Sequence, residues 1–396
     1  MRKYVFLLMA AVPPMLSAEA WRPSDFEIRG WSMAVAATDT CSNVFSPIGF
    51  AVSAAMLGEA AGDSQRMAIA EALGGINDFA DTFSYVLESY AATSASNAVA
   101  ISMAPSIWSR RVRSMDIGYR HRMMRTFGAV SGRLADPVPV NAWTEAKTDG
   151  RIPSVIQSIP VDGDIMLLNA VAFEGAWKDG FDKKLTRTGD FRTDGGRIAP
   201  VMFMHGETTV TRIQNGEFTA ISLPFAAEGV YALYMLPPPG MPIGNLRSEI
   251  GTRISIDEVK SLFRVGKGVD VDVVRLKIAL PKMELRSSWN LLPLMSRLKF
   301  PTGGYAHLGE KWKIGGVFQS ACIKVAETGY SLTPGAKPPK LKKKDTSWRH
   351  VRDGEEDEAD LPPVAKEELV FNRPFVFLVW DSNTDTIILA GQFTGM

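Results

Sequence analysis

The sequence predicts an α+β fold in a single domain, on three observations. Apolar residues recur at helical spacing through much of the first half of the chain. Short β-compatible runs punctuated by Gly, Pro and Asp fill the second half, and neither an internal repeat nor a linker separates the two. Of 396 residues, 46% are hydrophobic and 22% charged, enough apolar material for a sizeable core. The formal net charge of +1 gives no case for a nucleic-acid partner or for any strongly acidic or basic one.

Arg2 and Lys3 precede the apolar run 4–12, and Ala18-Glu19-Ala20 offers small residues where a signal peptidase reads. Pro13-Pro14 would break a buried helix there, so residues 1–20 read as a secretory signal cut after Ala20. No later apolar run approaches the roughly 18–20 residues of a membrane span, so the mature chain 21–396 is expected to be exported and soluble.

Phe26, Met33, Ala34 and Ala37 mark one face of a helix over 25–38. Asn43-Val44-Phe45-Ser46-Pro47 reads as a short strand closed by proline, and 48–57 as a buried apolar helix. Ser64 suits the N-cap of a helix over 65–73 that Gly74-Gly75 stops. Residues 76–96 contain no Lys or Arg. By contrast Arg110, Arg111, Arg113, Arg120, His121, Arg122 and Arg125 read as a solvated helix face, with a polyanion site the other possibility. Asn141-Ala142-Trp143 opens a further helix that ends near Gly150, and 165–173 is apolar enough for a strand buried on both faces.

Beyond Trp177, short strands are expected at Phe191, 201–204, Val210, Ile213, 218–223 and 231–236. A helix at 255–262, a strand at 271–280 and a short helix at 291–298 follow, then a C-terminal hairpin of 375–380 with 386–390. Cys41 and Cys322 are expected to be unpaired and buried, with a disulfide the alternative in an oxidising compartment.

The stretch 327–370 has no period of either kind. It contains Pro334, Pro338 and Pro339, the lysines 340, 342, 343 and 344, and an acidic run over 353–360. Charges gathered in blocks read as a long exposed loop, which inside a compact domain is usually either functional or disordered.

No enzyme chemistry is evident. The chain has no HExxH, no paired CxxC and no P-loop. Gly128-Ala129-Val130-Ser131-Gly132 places its serine one residue late for a nucleophile elbow. Asp381-Ser382-Asn383-Thr384-Asp385 opens like a calcium loop but lacks the glycine and the bidentate glutamate, so a hairpin turn is expected. Neither metal nor other cofactor is expected.

Seven segments in order resemble serpin motifs. They are Asn43-Val44-Phe45-Ser46-Pro47; Asn141-Ala142-Trp143 with Thr148-Asp149-Gly150-Arg151-Ile152; and Leu168-Asn169-Ala170-Val171-Ala172-Phe173-Glu174-Gly175-Ala176-Trp177. The others are Leu223-Pro224-Phe225, Leu236-Pro237, Leu280-Pro281-Lys282-Met283 and Phe371-Asn372-Arg373-Pro374-Phe375-Val376-Phe377-Leu378. The resemblance implies the serpin fold: three β-sheets, eight or nine helices and an exposed reactive-centre loop at 327–370. It also implies a serine protease inhibitor that acts as a suicide substrate. The protease cuts the loop and is held as an acyl-enzyme while the loop enters the central sheet, releasing strain from a metastable fold. Catalytic residues then belong to the target.

The resemblance also frames the site. A globule of about 376 residues is roughly 54 Å across. At about 3.3 Å per residue a strand crossing it needs about 16 residues, which counted from Glu327 reaches Lys343. Lys342, Lys343 and Lys344 are therefore the favoured scissile-bond candidates; Arg349 and Arg352 are candidates too, though cuts there would leave slack in the tether. A lysine before the bond favours a trypsin-like target. In the hinge, Glu327 and Gly329 fit the inhibitory pattern, whereas Tyr330, Leu332 and Pro334 depart from it. At period two, Tyr330, Leu332, Pro334, Ala336, Pro338 and Lys340 would face the core of an inserted strand, where a bulky ring and prolines are obstacles. The alternative expectation is a non-inhibitory serpin-fold binding module whose charged loop recruits another protein. Either is expected to be a monomer with no nucleic-acid or membrane partner. Beneath the sheet Ser46, Asn169 and Gln319 are expected to form a polar network, with Gly49 where the family usually has serine and Gln319 where it usually has histidine.

Overall fold

The computed structural model describes residues 23–35, 41–76, 78–95, 98–111, 113, 115–250, 252–254, 258–259, 262, 272–301, 305, 307–308, 312–330 and 364–395. The expected signal segment lies outside the described residues. So do Leu332, Pro334, Lys342, Lys343, Lys344, Arg349 and Arg352.

Eight α-helices are described. They are α1 (Pro23–Val35), α2 (Pro47–Gly58), α3 (Asp63–Ala72), α4 (Phe79–Ser94), α5 (Ile117–Phe127), α6 (Pro137–Lys147), α7 (Ile243–Glu249) and α8 (Leu292–Arg297). None is long and apolar enough to cross a membrane. Strands β1 (Asn43–Phe45), β2 (Val99–Met103), β3 (Ser106–Ser109), β4 (Val130–Arg133) and β5 (Ile165–Ala176) are interspersed among or follow the first six helices. The later strands are β6 (Arg187–Arg192), β7 (Ile198–Gln214), β8 (Thr219–Pro224), β9 (Val230–Leu236), β10 (Asp272–Pro281), β11 (Met283–Asn290), β12 (Ile314–Ala326), β13 (Gly329–Tyr330), β14 (Val364–Val370), β15 (Phe375–Asp381) and β16 (Thr386–Phe393).

The strands form two hydrogen-bonded sheets. The central sheet runs β11-β12-β13-β5-β3-β4, with β2 also on β5, and β5 pairs β12 directly over most of its length. The other runs β1-β16-β15-β9-β8-β7-β10-β14, with β6 on β7. Three expected sheets become two ladders because β7 is continuous over 17 residues: it pairs β6 and β10 along most of its length and β8 at its end. Beneath the central sheet lies α2, which starts on Pro47 after the Ser46 cap and is buried along its whole length. A helix apolar all round has to be enclosed, and this one fills the main core between the two sheets. A smaller core covers the front face, where Val140 and Trp143 of α6 pack over Met166, Leu168, Ala172 and Cys322.

Several expectations need correction. α3 begins at Asp63 after an uncapped Gly62, one residue before the expected Ser64 cap. α6 begins at Pro137, capped by Asp136, so Asn141 and Trp143 lie inside the helix. No expectation covers α4, α7 or strands β2, β3, β4 and β11. In α4 the buried Phe79, Phe83, Val86 and Tyr90 hold a helical spacing. β11 alternates buried with exposed residues at its start and is polar beyond Leu285 apart from Trp289, which packs on the main core. The largest correction concerns 327–370: Glu327 and Tyr330 are buried, and both ends of the stretch, β13 and β14, are strands. Neither Cys41 nor Cys322 is joined in a disulfide, and Cys41 is exposed rather than buried.

Candidate functional site

The site lies where the stretch after β12 re-enters the central sheet. Its first charged residue, Glu327, is 4% exposed. Both carboxylate oxygens accept from Lys282 Nζ at 2.9 Å, and Oε1 also accepts from Thr186 Oγ1 at 2.9 Å. Burial pushes the carboxyl up, but the Lys282 ammonium, the residue's own backbone N–H and the Thr186 hydroxyl outweigh it, so its pKa sits below the ordinary carboxylate range. The Glu327 carbonyl accepts the Phe181 N–H at 2.8 Å, and that of Thr328 accepts the Trp177 N–H at 3.1 Å.

Two residues further on, the chain forms a strand of only two residues. Gly329 stands opposite Ala176 of β5 and Ala326 of β12; Tyr330 stands opposite Gly175 and Val325. β13 thus occupies the gap between strands that elsewhere pair with each other. At Gly329, φ is 133° and a Cβ would lie 2.0 Å from the Gly175 carbonyl oxygen, so only glycine enters so narrow a space.

Tyr330 is 1% exposed and sits in an aromatic box, not against an obstacle. Its ring meets Phe173, Trp177 and Phe225 edge-on, with centroids 5.8, 5.3 and 5.2 Å away. Trp177 and Phe225 stack on each other at 4.9 Å. At the back the Tyr330 hydroxyl meets that of Tyr234 at 2.8 Å, and Tyr234 in turn packs on Phe371 and Phe375. Burial pushes the Tyr330 phenol above its ordinary pKa. The expected facing of Tyr330 toward the core therefore agrees with its position, and the expected steric penalty does not.

The polar group beneath the sheet is contiguous. Gln319 of β12 donates through Nε2 to the Ser46 carbonyl at 2.7 Å and accepts the Ser46 N–H on Oε1 at 2.9 Å. Ser46 Oγ donates to the Ile388 carbonyl at 2.7 Å and accepts the Gly49 N–H at 3.1 Å. Asn169 of β5, paired directly across from Gln319, donates to the Gly49 carbonyl at 3.0 Å. Both strands of the seam are thereby tied to α2. A Cβ on Gly49 would stand 2.9 Å from Val171 Cγ2, 3.0 Å from Ser46 Oγ and 3.1 Å from Gln319 Nε2, so the bare glycine makes room for the longer amide.

The sequence motifs, scattered along the chain, converge here. Phe173 and Trp177, Phe225, Lys282, and Phe371 with Phe375 each come from a different segment and together line or hold the hinge. A family profile described as "Serpin (serine protease inhibitor)" matches residues 24–395. The chain belongs to the serpin family. Among relatives of this serpin, ovalbumin of Coturnix coturnix is 26% identical over 261 residues, covering 64% of this chain and 61% of that protein. Plasminogen activator inhibitor 2 of Homo sapiens is 23% identical over 267 residues, 64% of this chain and 59% of that one. The match thus spans about three-fifths of the length of these relatives. The fold is that of solved serpins: native protease nexin-1 with heparin superposes with TM-score 0.77 at 18% identity, covering 95% of this chain and 98% of that one. The thermophilic serpin Tengpin in its native state gives 0.76 at 18% identity, covering 98% and 96%.

Lys282, Thr186 and Tyr234 were not singled out as partners of the hinge in the sequence. Lys282 lies within the Leu280-Pro281-Lys282-Met283 motif, which was the available signal; Thr186 and Tyr234 carry none.

Proposed function

We propose that this serpin is an exported suicide-substrate inhibitor of a trypsin-like serine protease, cut at Lys342, Lys343 or Lys344. The observation that carries the proposal is the Gly329–Tyr330 strand, which already lies between β5 and β12 as the first two residues of a new ladder. Continuing its register, each further loop residue advances one position down both strands. Leu332 then arrives between Phe173 and Ile323, Pro334 between Val171 and Ala321, and Ala336 between Asn169 and Gln319. The ladder runs out where β5 and β12 begin, at Ile165 and Ile314, which meet Lys340 and Leu341 respectively. A cut just after that point releases as much chain as the seam can take up, and it falls in the lysine cluster; cuts at Arg349 or Arg352 leave unused tether. The protein itself supplies bait and strain, and the chemistry is the protease's.

Specific residues favour a second reading, a serpin-fold binding module that is not inhibitory. Pro334 and Pro338 would each remove a donor from a strand bonded on both sides, and Pro339 follows directly. Incubation with a panel of trypsin-like proteases separates the two. The inhibitor gives a 1:1 complex that survives SDS and a loop cut within 342–344. The module gives cut chain and free, active protease.

A further inference from the structure

Insertion requires β5 and β12 to part, and one segment bridges that seam on the front face. Between α6 and β5 the chain turns sharply, with φ of 48° at Asp149 and 77° at Gly150. Arg151 follows. Its Nη2 donates to Glu174 Oε2 on β5 at 2.7 Å, while Nη1 donates to Asp149 Oδ2 at 2.8 Å and to the Thr148 carbonyl at 3.2 Å. The carbonyl of the same residue accepts the thiol of Cys322 on β12 at 3.8 Å. Ile152 alongside is buried in the front core with Cys322, Ala172 and Met166. A single residue thus grips both strands. The side chains of Arg151 and Glu174 are 12% and 16% exposed, so their contact is shielded from water far better than the pairing with Asp149, which is 77% exposed.

The register gives this grip a position along the path. Continuing from Tyr330, Ser331 would stand opposite Glu174 and Thr333 opposite Ala172 and Cys322. The first residues to enter after the docked tyrosine therefore pass directly under Arg151.

We propose that Arg151 and Glu174 form a strap that holds the β5–β12 seam shut and sets the rate at which the loop beyond Tyr330 enters, an inference that rests on the insertion reading above. Arg151 is a positioning residue: it touches neither bait nor protease. The strap also covers the Cys322 thiol, which is 1% exposed and pushed up to about 12 by burial. Exposed Cys41 reacts with a thiol reagent at once, whereas Cys322 reacts only when the strap lifts.

The test is the labelling rate of Cys322 in the folded full-length chain, read as the slow phase after Cys41. Glu174→Ala is expected to speed it about tenfold and the conservative Glu174→Gln several-fold, as loss of a charge-assisted hydrogen bond implies. Asp149→Asn, which removes only the exposed charge and suits the positive φ of that position, should stay within about twofold. The charge swap Arg151→Glu with Glu174→Arg should return the rate to near that of the parent. A labelling rate unmoved by both Glu174 variants overturns the strap. So does an equal acceleration from Asp149→Asn, or acceleration that only tracks a fall in the urea midpoint. Complex formation with a trypsin-like protease, measured in parallel, separates this claim from the one beneath it. Faster Cys322 labelling with no complex in any variant keeps the strap and removes inhibition; complexes with unchanged labelling do the reverse.

Discussion

Replacing Tyr330 first by phenylalanine and then by alanine separates the two things that hold the hinge in the sheet. The phenylalanine variant keeps the ring against Phe173, Trp177 and Phe225 but leaves the Tyr234 hydroxyl, buried and 2.8 Å from its former partner, unpaired. Such an orphaned hydroxyl costs about 1–2 kcal/mol, or about tenfold in an opening equilibrium. Alanine also empties the aromatic box, at about 3–5 kcal/mol, or some hundred-fold to several thousand-fold. The readout is amide hydrogen exchange at Trp177, whose N–H is bonded to the Thr328 carbonyl of the docked hinge. The expected order is parent slowest, then Tyr330→Phe, then Tyr330→Ala. In the double variant Tyr234→Phe with Tyr330→Phe both hydroxyls vanish together, and exchange should return to within about threefold of the parent. Exchange in Tyr330→Ala as slow as in the parent would refute the claim that the tyrosine docks the hinge.

Two further outcomes follow from the same geometry. Because its contacts hold the Glu327 carboxyl below the ordinary range, Glu327 stabilises the docked hinge fully above the unfolded value of roughly 4.3 and progressively less as pH falls through the depressed folded value. Corrected exchange at Trp177 should therefore rise as pH drops below about 4 in the parent and show no such rise in Glu327→Gln, provided the global midpoint is matched; identical pH profiles would show that the carboxylate does not hold the hinge. At Gly49, serine should lower the unfolding midpoint by overpacking against Val171, Ser46 and Gln319, a cost of about 1–3 kcal/mol. Combined with Gln319→His the loss should be smaller than the sum of the single losses, by about 1 kcal/mol in a denaturant cycle; strict additivity would mean that the two positions are not fitted to each other.

Much of this architecture was legible because its signals are local. The apolar run 48–57 announces α2, although Ser46 and Pro47, which look like the end of a strand, are its cap and first residue; two buried runs around Asp381–Asp385 announce the C-terminal hairpin. β7 reads as fragments in the sequence, since Pro200 and Gly206 look like breaks; pairing with β6 and β10 overrides that local preference. The hinge divides along the same line. Alternation alone placed the Tyr330 ring toward the core. The fit of that ring depends on Phe173, Trp177 and Phe225 on other strands and on a hydroxyl 96 positions away at Tyr234, and spacing carries no record of such a pocket. The grip of Arg151 on Glu174 was equally invisible: both residues lie in motifs that signal the family, and neither motif says that the two side chains meet across a loop.

Whether the cut loop continues the ladder that Gly329 and Tyr330 begin decides between an inhibitor and a binding module. Limited proteolysis with a trypsin-like enzyme, mass determination of the fragments and a thermal melt of intact and cleaved protein test this together. The expected result is cleavage within 342–344 and a cleaved chain that melts far above the intact one, because the new strand bonds on both sides. A cleaved chain melting at the same temperature as the intact protein would contradict it.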